Sequence, residues 1–158
     1  MPVSYEEVAV ATASSEEKSF DNLQLGACTV HYLRIHVTDH CAPSDAALFE
    51  FSRLPVSVDP KSSWVHFHCH GGDGRTTTFL ALYDMVCWKR WSNDLFPDLE
   101  TFACRQCTLP PNYCLNPDGC DCGAGTSPPV AGWKRPLEAQ RWEVLKEFHT
   151  RVLAGSGI

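Results

Sequence analysis

The alternation of hydrophobic and polar positions along the chain predicts two strands and four helices. Apolar and β-branched residues that alternate with polar ones are typical of strands, and an apolar stripe at three- to four-residue spacing is typical of helices. A strand, a helix and a second strand in this order predict a right-handed crossover and a parallel sheet. We therefore expect an α/β fold with a short, mainly parallel sheet flanked by helices. The predicted strands are Thr29–Val37 and Trp64–His68, and the predicted helices are Asp45–Leu54, Thr76–Trp91, Pro97–Cys107 and one that begins at Pro136.

Capping residues and breakers set the predicted limits of these elements. Ser44 suits the N-cap of the first helix, and Pro55 is expected to end that helix. Leu48, Phe49 and Phe51 are the side chains that this helix offers for burial. Residues 1–28 form a polar N-terminal segment, and residues 29–158 form one domain that contains a Cys-, Pro- and Gly-rich loop at 108–133.

Composition and charge exclude several classes of function. The formal charge of −6 argues against a nucleic-acid partner, because the chain has no basic stripe to neutralise a phosphate backbone. No apolar run is long enough to span a membrane, so no membrane partner is expected. The N-terminus lacks the basic start and apolar core of a signal peptide, which predicts a cytoplasmic protein. Its nine cysteines are therefore expected to be reduced thiols or metal ligands.

The stretch HCHGGDGRT, which begins at His68, carries the candidate chemistry. A strand, a glycine-rich turn and a helix start direct backbone N–H groups and a helix dipole at one point, where an anion would bind. Cys69 would lie there as a thiolate, Arg75 would grip two phosphate oxygens, and the Thr76 hydroxyl would support the sulfur. The predicted phosphate-binding residues are His70, Gly71, Gly72, Asp73, Gly74 and Arg75.

This Cys-x5-Arg-Thr pattern resembles the signature of the protein-tyrosine-phosphatase superfamily. Four further sequence features indicate one family within this superfamily. They are HFHC and GxGRTT in the loop region, RIHVTDHCAP upstream of it and the Arg105-Gln106 pair downstream. Together they resemble the tyrosine-phosphatase-like inositol polyphosphatases, which are the cysteine phytases. The resemblance runs in order from about Leu33 to Gln106.

The resemblance implies a reaction, a substrate and an acid. Asp39 of the TDH word would protonate the leaving oxygen and then activate the water that hydrolyses a cysteinyl-phosphate. The implied substrate is a myo-inositol polyphosphate such as phytate, and neither a metal nor a cofactor takes part. His68 would support the loop from below through hydrogen bonds. Two alternatives stay open: a protein-tyrosine or dual-specificity phosphatase that acts on phosphoproteins, and a truncated, non-catalytic phosphate-binding module.

Two departures from the family pattern bear on the substrate. Only 38 residues precede Asp39, fewer than the family domain has there, which predicts an N-terminally truncated domain. Asp73 places a carboxylate in the loop, which opposes anion binding by about 1 kcal/mol, and a protonated His70 would offset part of this. Among the basic residues, Arg105 is the best candidate for binding additional phosphates.

A cluster of cysteines near the C-terminal helix lies outside the family pattern. Its spacing, C-x2-C-x6-C-x5-C-x-C, is compatible with structural zinc, with disulfides or with unreactive thiols. The second pair has the wrong spacing for a common zinc ribbon, so no metal site is predicted from it. The members are Cys104, Cys107, Cys114, Cys120 and Cys122.

Overall fold

A computed structural model describes most of the second half of the chain and part of the first. The chain divides into two compact units, Met1–Ile35 and His36–Ile158. The predicted polar segment 1–28 and much of the predicted loop at 108–133 lie outside the described residues, so the predicted domain boundaries stay predictions. The described residues are 31–59, 62–109, 112–119 and 132–155.

Four α-helices account for the regular structure of the described residues. The second helix is central, because it packs against each of the other three and most extensively against the last. None of the four is both long and apolar enough to cross a membrane. The helices are α1 (Asp45–Ser57), α2 (Gly74–Trp91), α3 (Leu99–Cys107) and α4 (Arg135–Ala154).

Side-chain caps begin two of the helices where the sequence predicts them. The Ser44 hydroxyl accepts a hydrogen bond from the N–H of Ala47 (3.3 Å) at the start of α1. The Asp98 carboxylate accepts one from the N–H of Thr101 (2.8 Å) at the start of α3. Each cap satisfies an N–H that has no partner within its helix, which explains the position of the helix start.

Two expectations for α1 are wrong. The helix continues through Pro55 to Ser57. A proline in the last turn removes only one hydrogen bond of the helix, so it does not have to end the helix there. Phe51 is fully buried, but Phe49 is 69% exposed. Residues two apart on a helix point about 200° apart, so only one of this pair can face the core.

The second predicted strand is extended but has no strand partner among the described residues. The rings of Trp64, His66 and His68 stack in a row along one exposed side, with centroids 5.5 and 5.6 Å apart. The side chain of Phe67, between them, turns the other way and contacts the ring of Tyr83 (5.4 Å). Side chains alternate in this way only on extended backbone. The parallel sheet itself stays a prediction.

Phe51 is the centre of the hydrophobic core next to the loop of residues 69–76. Its ring contacts Phe67 of the extended segment (6.4 Å), Phe79 of α2 (5.4 Å) and Phe148 of α4 (6.1 Å). These tilted and edge-to-face contacts are favourable aromatic geometries. One buried side chain therefore ties α1, α2 and α4 to the segment that leads into Cys69.

A second aromatic cluster surrounds Phe102 and attaches α3 to α2 and α4. The Phe102 ring lies 6.2 Å from Trp88, 5.3 Å from Phe96 and 6.1 Å from His149. A ring nitrogen of His149 also hydrogen-bonds the backbone oxygen of Pro97 at 2.8 Å. The connection between α2 and α3 is therefore packed onto α4.

Candidate active site

The chain turns sharply between Cys69 and the start of α2. Gly72 has a φ of 79°, a left-handed conformation that costs glycine little and a side chain more. At the beginning of α2, the Thr77 hydroxyl donates to the backbone oxygen of Asp73 (2.8 Å). The turn and this side-chain contact bring the first amides of the helix back towards the cysteine.

Cys69 lies inside this turn and has a lowered pKa. Partial burial is the largest influence and raises the pKa of the thiol. Three hydrogen bonds to the thiolate, from the side chain and N–H of Thr76 and from the N–H of Gly72, and the charge of Arg75 together outweigh it. The net effect favours the thiolate, which is the nucleophilic form of cysteine.

The hydroxyl of Thr76 completes the surroundings of the sulfur. It is buried and finds no hydrogen-bond partner among the described residues while Cys69 is a thiol, yet it lowers the pKa of Cys69. These observations agree if the hydroxyl faces a thiol, a weak acceptor, and bonds fully once the stronger acceptor, a thiolate, has formed.

An ion pair joins the TDH segment to the loop. Arg75 Nη2 lies 3.0 Å from Asp39 Oδ1, and Arg75 Nη1 donates to the backbone oxygen of Val37 at 3.3 Å. The Arg75 side chain is 21% exposed, so part of its fork faces solvent. Two residues that the sequence separates by 36 positions are therefore in direct contact, and one of them, Arg75, lowers the pKa of Cys69 through its charge.

His40 holds the Asp39 carboxylate from the other side. Its backbone N–H donates to Asp39 Oδ1 (3.0 Å), and its Nε2 lies 3.5 Å from Oδ2. His40 has a φ of 63°, unusual for a residue other than glycine. Its ring meets the edge of the Trp133 ring at 5.2 Å. The sequence interpretation missed both His40 and Trp133, because their contacts with the TDH segment come from folding.

Three other residues of the 69–76 loop lie at the protein surface. His70, Gly71 and Asp73 are exposed, and the Asp73 side chain makes no capping bond to α2. Because this carboxylate is solvated, water screens its charge, and it repels a bound anion only weakly. His68 is also exposed, whereas the resemblance implies a place beneath the loop, and its supporting role stays a prediction.

A buried arginine lies beneath the loop. Arg141 of α4 is 4% exposed, and its guanidinium packs so closely on Gly74 that a Cβ there would collide with Nη1. The sequence interpretation missed this residue, although a signal existed. Arg141 is four positions after Leu137 and seven before Phe148, so it occupies the apolar stripe of α4.

Arg105 has partners on α2. Its Nε lies 3.3 Å from Asp84 Oδ2, and its guanidinium lies over the Trp88 ring at 5.1 Å. It also lines two open grooves of about 440 and 390 Å³ beside α3, whose walls include no residue of the 69–76 loop. Because Asp84 already neutralises this charge, we assign Arg105 to the packing of α3 on α2.

No metal-binding arrangement is found within the described residues. There, no three His, Cys, Asp or Glu side chains are grouped so that they could hold a metal ion. Cys104 and Cys107 both lie on α3, and Cys107 is buried. Cys120 and Cys122 fall outside the described residues, so the zinc and disulfide hypotheses for the full cluster stay untested.

Comparison with known proteins places this geometry in a family. The family model for protein-tyrosine-phosphatase-like phytases, described as inositol hexakisphosphate, matches residues 3–87. The effector protein HopD2 of Pseudomonas syringae pv. tomato is 30% identical over 118 residues, which are 75% of this chain and 22% of the effector. Mouse paladin is 40% identical over 67 residues, which cover 40% of this chain and 8% of paladin.

The solved structure of a protein-tyrosine-phosphatase-like phytase from Bdellovibrio bacteriovorus has a related fold. It is 28% identical, aligns with a TM-score of 0.60, and the match covers 99% of this chain and 61% of that one. The chain thus spans less than two thirds of each of these proteins. Since the family model matches more than half of the chain and the fold agrees, the chain belongs to the protein-tyrosine-phosphatase-like phytase family.

Proposed function

We propose that this protein hydrolyses phosphate monoesters through a cysteinyl-phosphate intermediate, and that its substrate is a myo-inositol polyphosphate. The observation that carries the proposal is the meeting of three groups at one turn. Cys69 has a lowered pKa, Arg75 stands beside it, and Asp39 Oδ1 lies 3.0 Å from Arg75. These are a nucleophile, a phosphate clamp and an acid.

The first step transfers the phosphoryl group to the enzyme. The Cys69 thiolate forms a sulfur–phosphorus bond while the bond between phosphorus and the ester oxygen breaks. Protonated Asp39 gives its proton to that oxygen, so the product leaves as a neutral alcohol. The N–H groups of Gly72 and Thr76 and the guanidinium of Arg75 balance the charge on the phosphoryl oxygens.

The second step restores the enzyme. Asp39, now a carboxylate, removes a proton from a water molecule as that water attacks phosphorus. The sulfur–phosphorus bond breaks, inorganic phosphate is released, and the Cys69 thiolate is regenerated with Asp39 protonated. One group thus serves as acid and then as base.

Binding of substrate requires the ion pair between Arg75 and Asp39 to change. Arg75 now donates to Asp39 and to the backbone oxygen of Val37. A phosphate dianion accepts two parallel bonds from a guanidinium and carries more charge than one carboxylate, so it competes well for Arg75. Asp39 would then be released from Arg75, take up a proton from water and become the acid for the ester oxygen.

The family supports the assignment of the substrate. The matching family model is described as inositol hexakisphosphate, and the similar solved structure is a phytase. A phosphoprotein is the rival substrate for the same chemistry. The reaction draws its nucleophile, clamp and acid from the chain itself, so no cofactor is proposed. The expected partner is the substrate, a phosphorylated small molecule.

Hydrolysis assays with variants test both parts of the proposal. Purified protein is assayed on para-nitrophenyl phosphate, phytate and a phosphotyrosine peptide. We expect turnover of phytate and of the aryl phosphate, no turnover by Cys69→Ser, and a loss of about 100-fold or more in Asp39→Asn. The Asp39→Asn loss should be larger for phytate, because an alkoxide leaving group needs a proton more than a phenolate does.

Matched controls separate loss of chemistry from loss of structure. Cys41→Ser removes another free thiol, and Asp118→Asn removes an exposed carboxylate, so both should keep wild-type activity. Wild-type protein as inert as Cys69→Ser would favour the non-catalytic phosphate-binding module. Turnover of the phosphopeptide without turnover of phytate would replace the inositol phosphate by a phosphoprotein.

A further inference from the structure

Among the described residues, Arg141 is the charged side chain that is most completely buried, at 4% exposure. Its compensation is incomplete. Arg141 Nη2 donates to the Tyr113 hydroxyl oxygen (2.6 Å), but the nearest carboxylate, Glu138 Oε1, is 3.7 Å away. Arg141 Nε is buried and finds no hydrogen-bond partner within the part of the chain that the structure describes. Burial of a cation costs free energy unless it is paired and hydrogen-bonded, so this position needs a reason.

Two partly buried side chains, Tyr113 and Glu138, link the arginine to its surroundings. The Tyr113 hydroxyl donates to Glu138 Oε1 (3.0 Å), and the Arg141 guanidinium lies 5.4 Å from the centre of the Tyr113 ring. Burial is the largest influence on the pKa of Tyr113 and raises it; Arg141 lowers this pKa and Glu138 raises it, and the net shift is upward, so the proton is retained. The three side chains form a fixed unit that joins the 112–119 segment to α4.

This unit is packed against the loop of residues 69–76, which is called the phosphate loop below. A Cβ on Gly74 would collide with Arg141 Nη1 and would lie 3.3 Å from the Tyr113 hydroxyl. Gly74 is the first residue of α2 and stands between Asp73 and Arg75. A shift of Arg141 would therefore move the point at which the loop enters the helix.

The positive charges around Gly74 favour the binding of an anion in the loop. The N-terminus of a helix carries partial positive charge, so a guanidinium beside it is unfavourable. Arg75 adds a second cation one residue later. An oxyanion in the loop would relieve the repulsion, whereas a neutral ligand would not.

We propose that Arg141, held by Tyr113 and Glu138, is a positioning residue that sets the phosphate loop through Gly74. The inference rests on the proposed function, since it takes the loop to be a phosphate site. Arg141 is not placed in contact with substrate. It fixes the start of α2, and thereby the Thr76 amide and the Arg75 side chain that surround Cys69.

Protection of Cys69 from alkylation tests the inference without turnover. The rate of iodoacetamide modification of Cys69 is followed by peptide mass spectrometry against pH and against inorganic phosphate concentration. In Arg141→Met we expect the midpoint of the pH profile to rise and phosphate to protect Cys69 about tenfold less well. Tyr113→Phe should change both in the same direction by less. Arg135→Met, on the exposed side of α4, is the matched control and should match wild type.

The outcomes separate this inference from the proposed function. A folded Arg141→Met protein with the phosphate affinity and pH profile of Arg135→Met overturns it, even if its melting temperature falls. If Arg141→Met does not fold, Tyr113→Phe decides by the same two readouts. Wild-type protein that phosphate fails to protect overturns both proposals. Protected wild-type protein that hydrolyses no ester overturns the enzyme alone.

Discussion

Single residues in this protein derive their chemistry from neighbours that are remote in the sequence. Asp39 contacts Arg75 across 36 positions, and Arg141 contacts Gly74 across 67. Cys69, by contrast, owes its lowered pKa to groups within seven positions of it. The Cys-x5-Arg-Thr pattern was therefore sufficient to predict the groups that lower the pKa of Cys69, whereas no local pattern indicates the contact of Arg141 with Gly74.

The lowered pKa of Cys69 should be visible as reactivity. Alkylation of Cys69 by iodoacetamide should reach half its maximal rate at a pH below the usual cysteine value of about 8.5. Thr76→Val should raise this midpoint, because it removes the side-chain hydrogen bond that lowers the pKa. Cys87, whose pKa is raised by burial, is an internal control that should react only at higher pH.

The same shift has a consequence for stability. Because the pKa is lower in the folded protein, Cys69 contributes stability above its unfolded pKa and loses that contribution as the pH falls through the folded value. The free energy of unfolding of wild type relative to Cys69→Ser should therefore increase with pH across this window. A difference that is constant with pH would contradict the lowered pKa.

Gly74→Ala should destabilise the protein despite its position in a helix. Alanine in place of a helical glycine ordinarily adds up to about 1 kcal/mol. Here the new Cβ collides with Arg141, and overpacking of this kind costs about 1–3 kcal/mol. Urea unfolding measures the change, and Gly132→Ala, which has open space, is the control.

A double-mutant cycle checks the cause. If the collision is responsible, Gly74→Ala combined with Arg141→Ala should be less destabilising than the sum of the two single changes. Strict additivity would mean that Gly74 is required for another reason.

At the scale of elements, helix ends place the functional groups. α2 begins at Gly74, so its N-terminal amides face Cys69, and α3 begins at a carboxylate cap. These starts were predictable to within two residues, because caps and glycine turns are encoded locally. The end of α1 was not, since the helix runs through Pro55 against its local preference.

Asp98 provides a test of helix capping with a pH signature. Asp98→Ala should cost about 1 kcal/mol at neutral pH, because the N–H of Thr101 loses its acceptor. Hydrogen bonds from the Thr101 side chain and N–H lower the pKa of Asp98. Its charged-state contribution is therefore present above the usual aspartate value and is lost as the pH falls through the lowered one.

Asp98→Asn is the matched control for this prediction. Asparagine caps a helix about as well but does not titrate, so its stability relative to wild type should improve as the solution becomes acidic. Denaturant unfolding at several pH values measures the difference. A difference that does not change down to about pH 2 would show that the cap is not ionised.

At the scale of the whole described unit, one side chain joins the parts that build the site. Phe51 of α1 contacts the rings of Phe67, Phe79 and Phe148, which belong to the extended segment, α2 and α4. The segment that ends at Cys69 and the helix that carries Arg75 are therefore packed on the same ring.

Phe51→Ala should accordingly be among the most damaging substitutions. Removal of a fully buried phenylalanine costs about 3–5 kcal/mol. Phe49→Ala, two positions earlier and 69% exposed, should change stability by less than about 0.5 kcal/mol. Thermal or urea unfolding of the two variants measures the contrast, and similar losses in both would contradict the orientation of α1.

The sequence alone determined the four helices, the glycine turn and the surroundings that lower the pKa of Cys69. These depend on groups close together in the chain: caps, periodic apolar positions and a seven-residue loop. Tertiary structure decided the rest, including the Asp39–Arg75 ion pair, the pairing of Arg105 with Asp84, and the cation beneath Gly74. Such contacts are selected by the packing of whole helices, which no short stretch of sequence specifies.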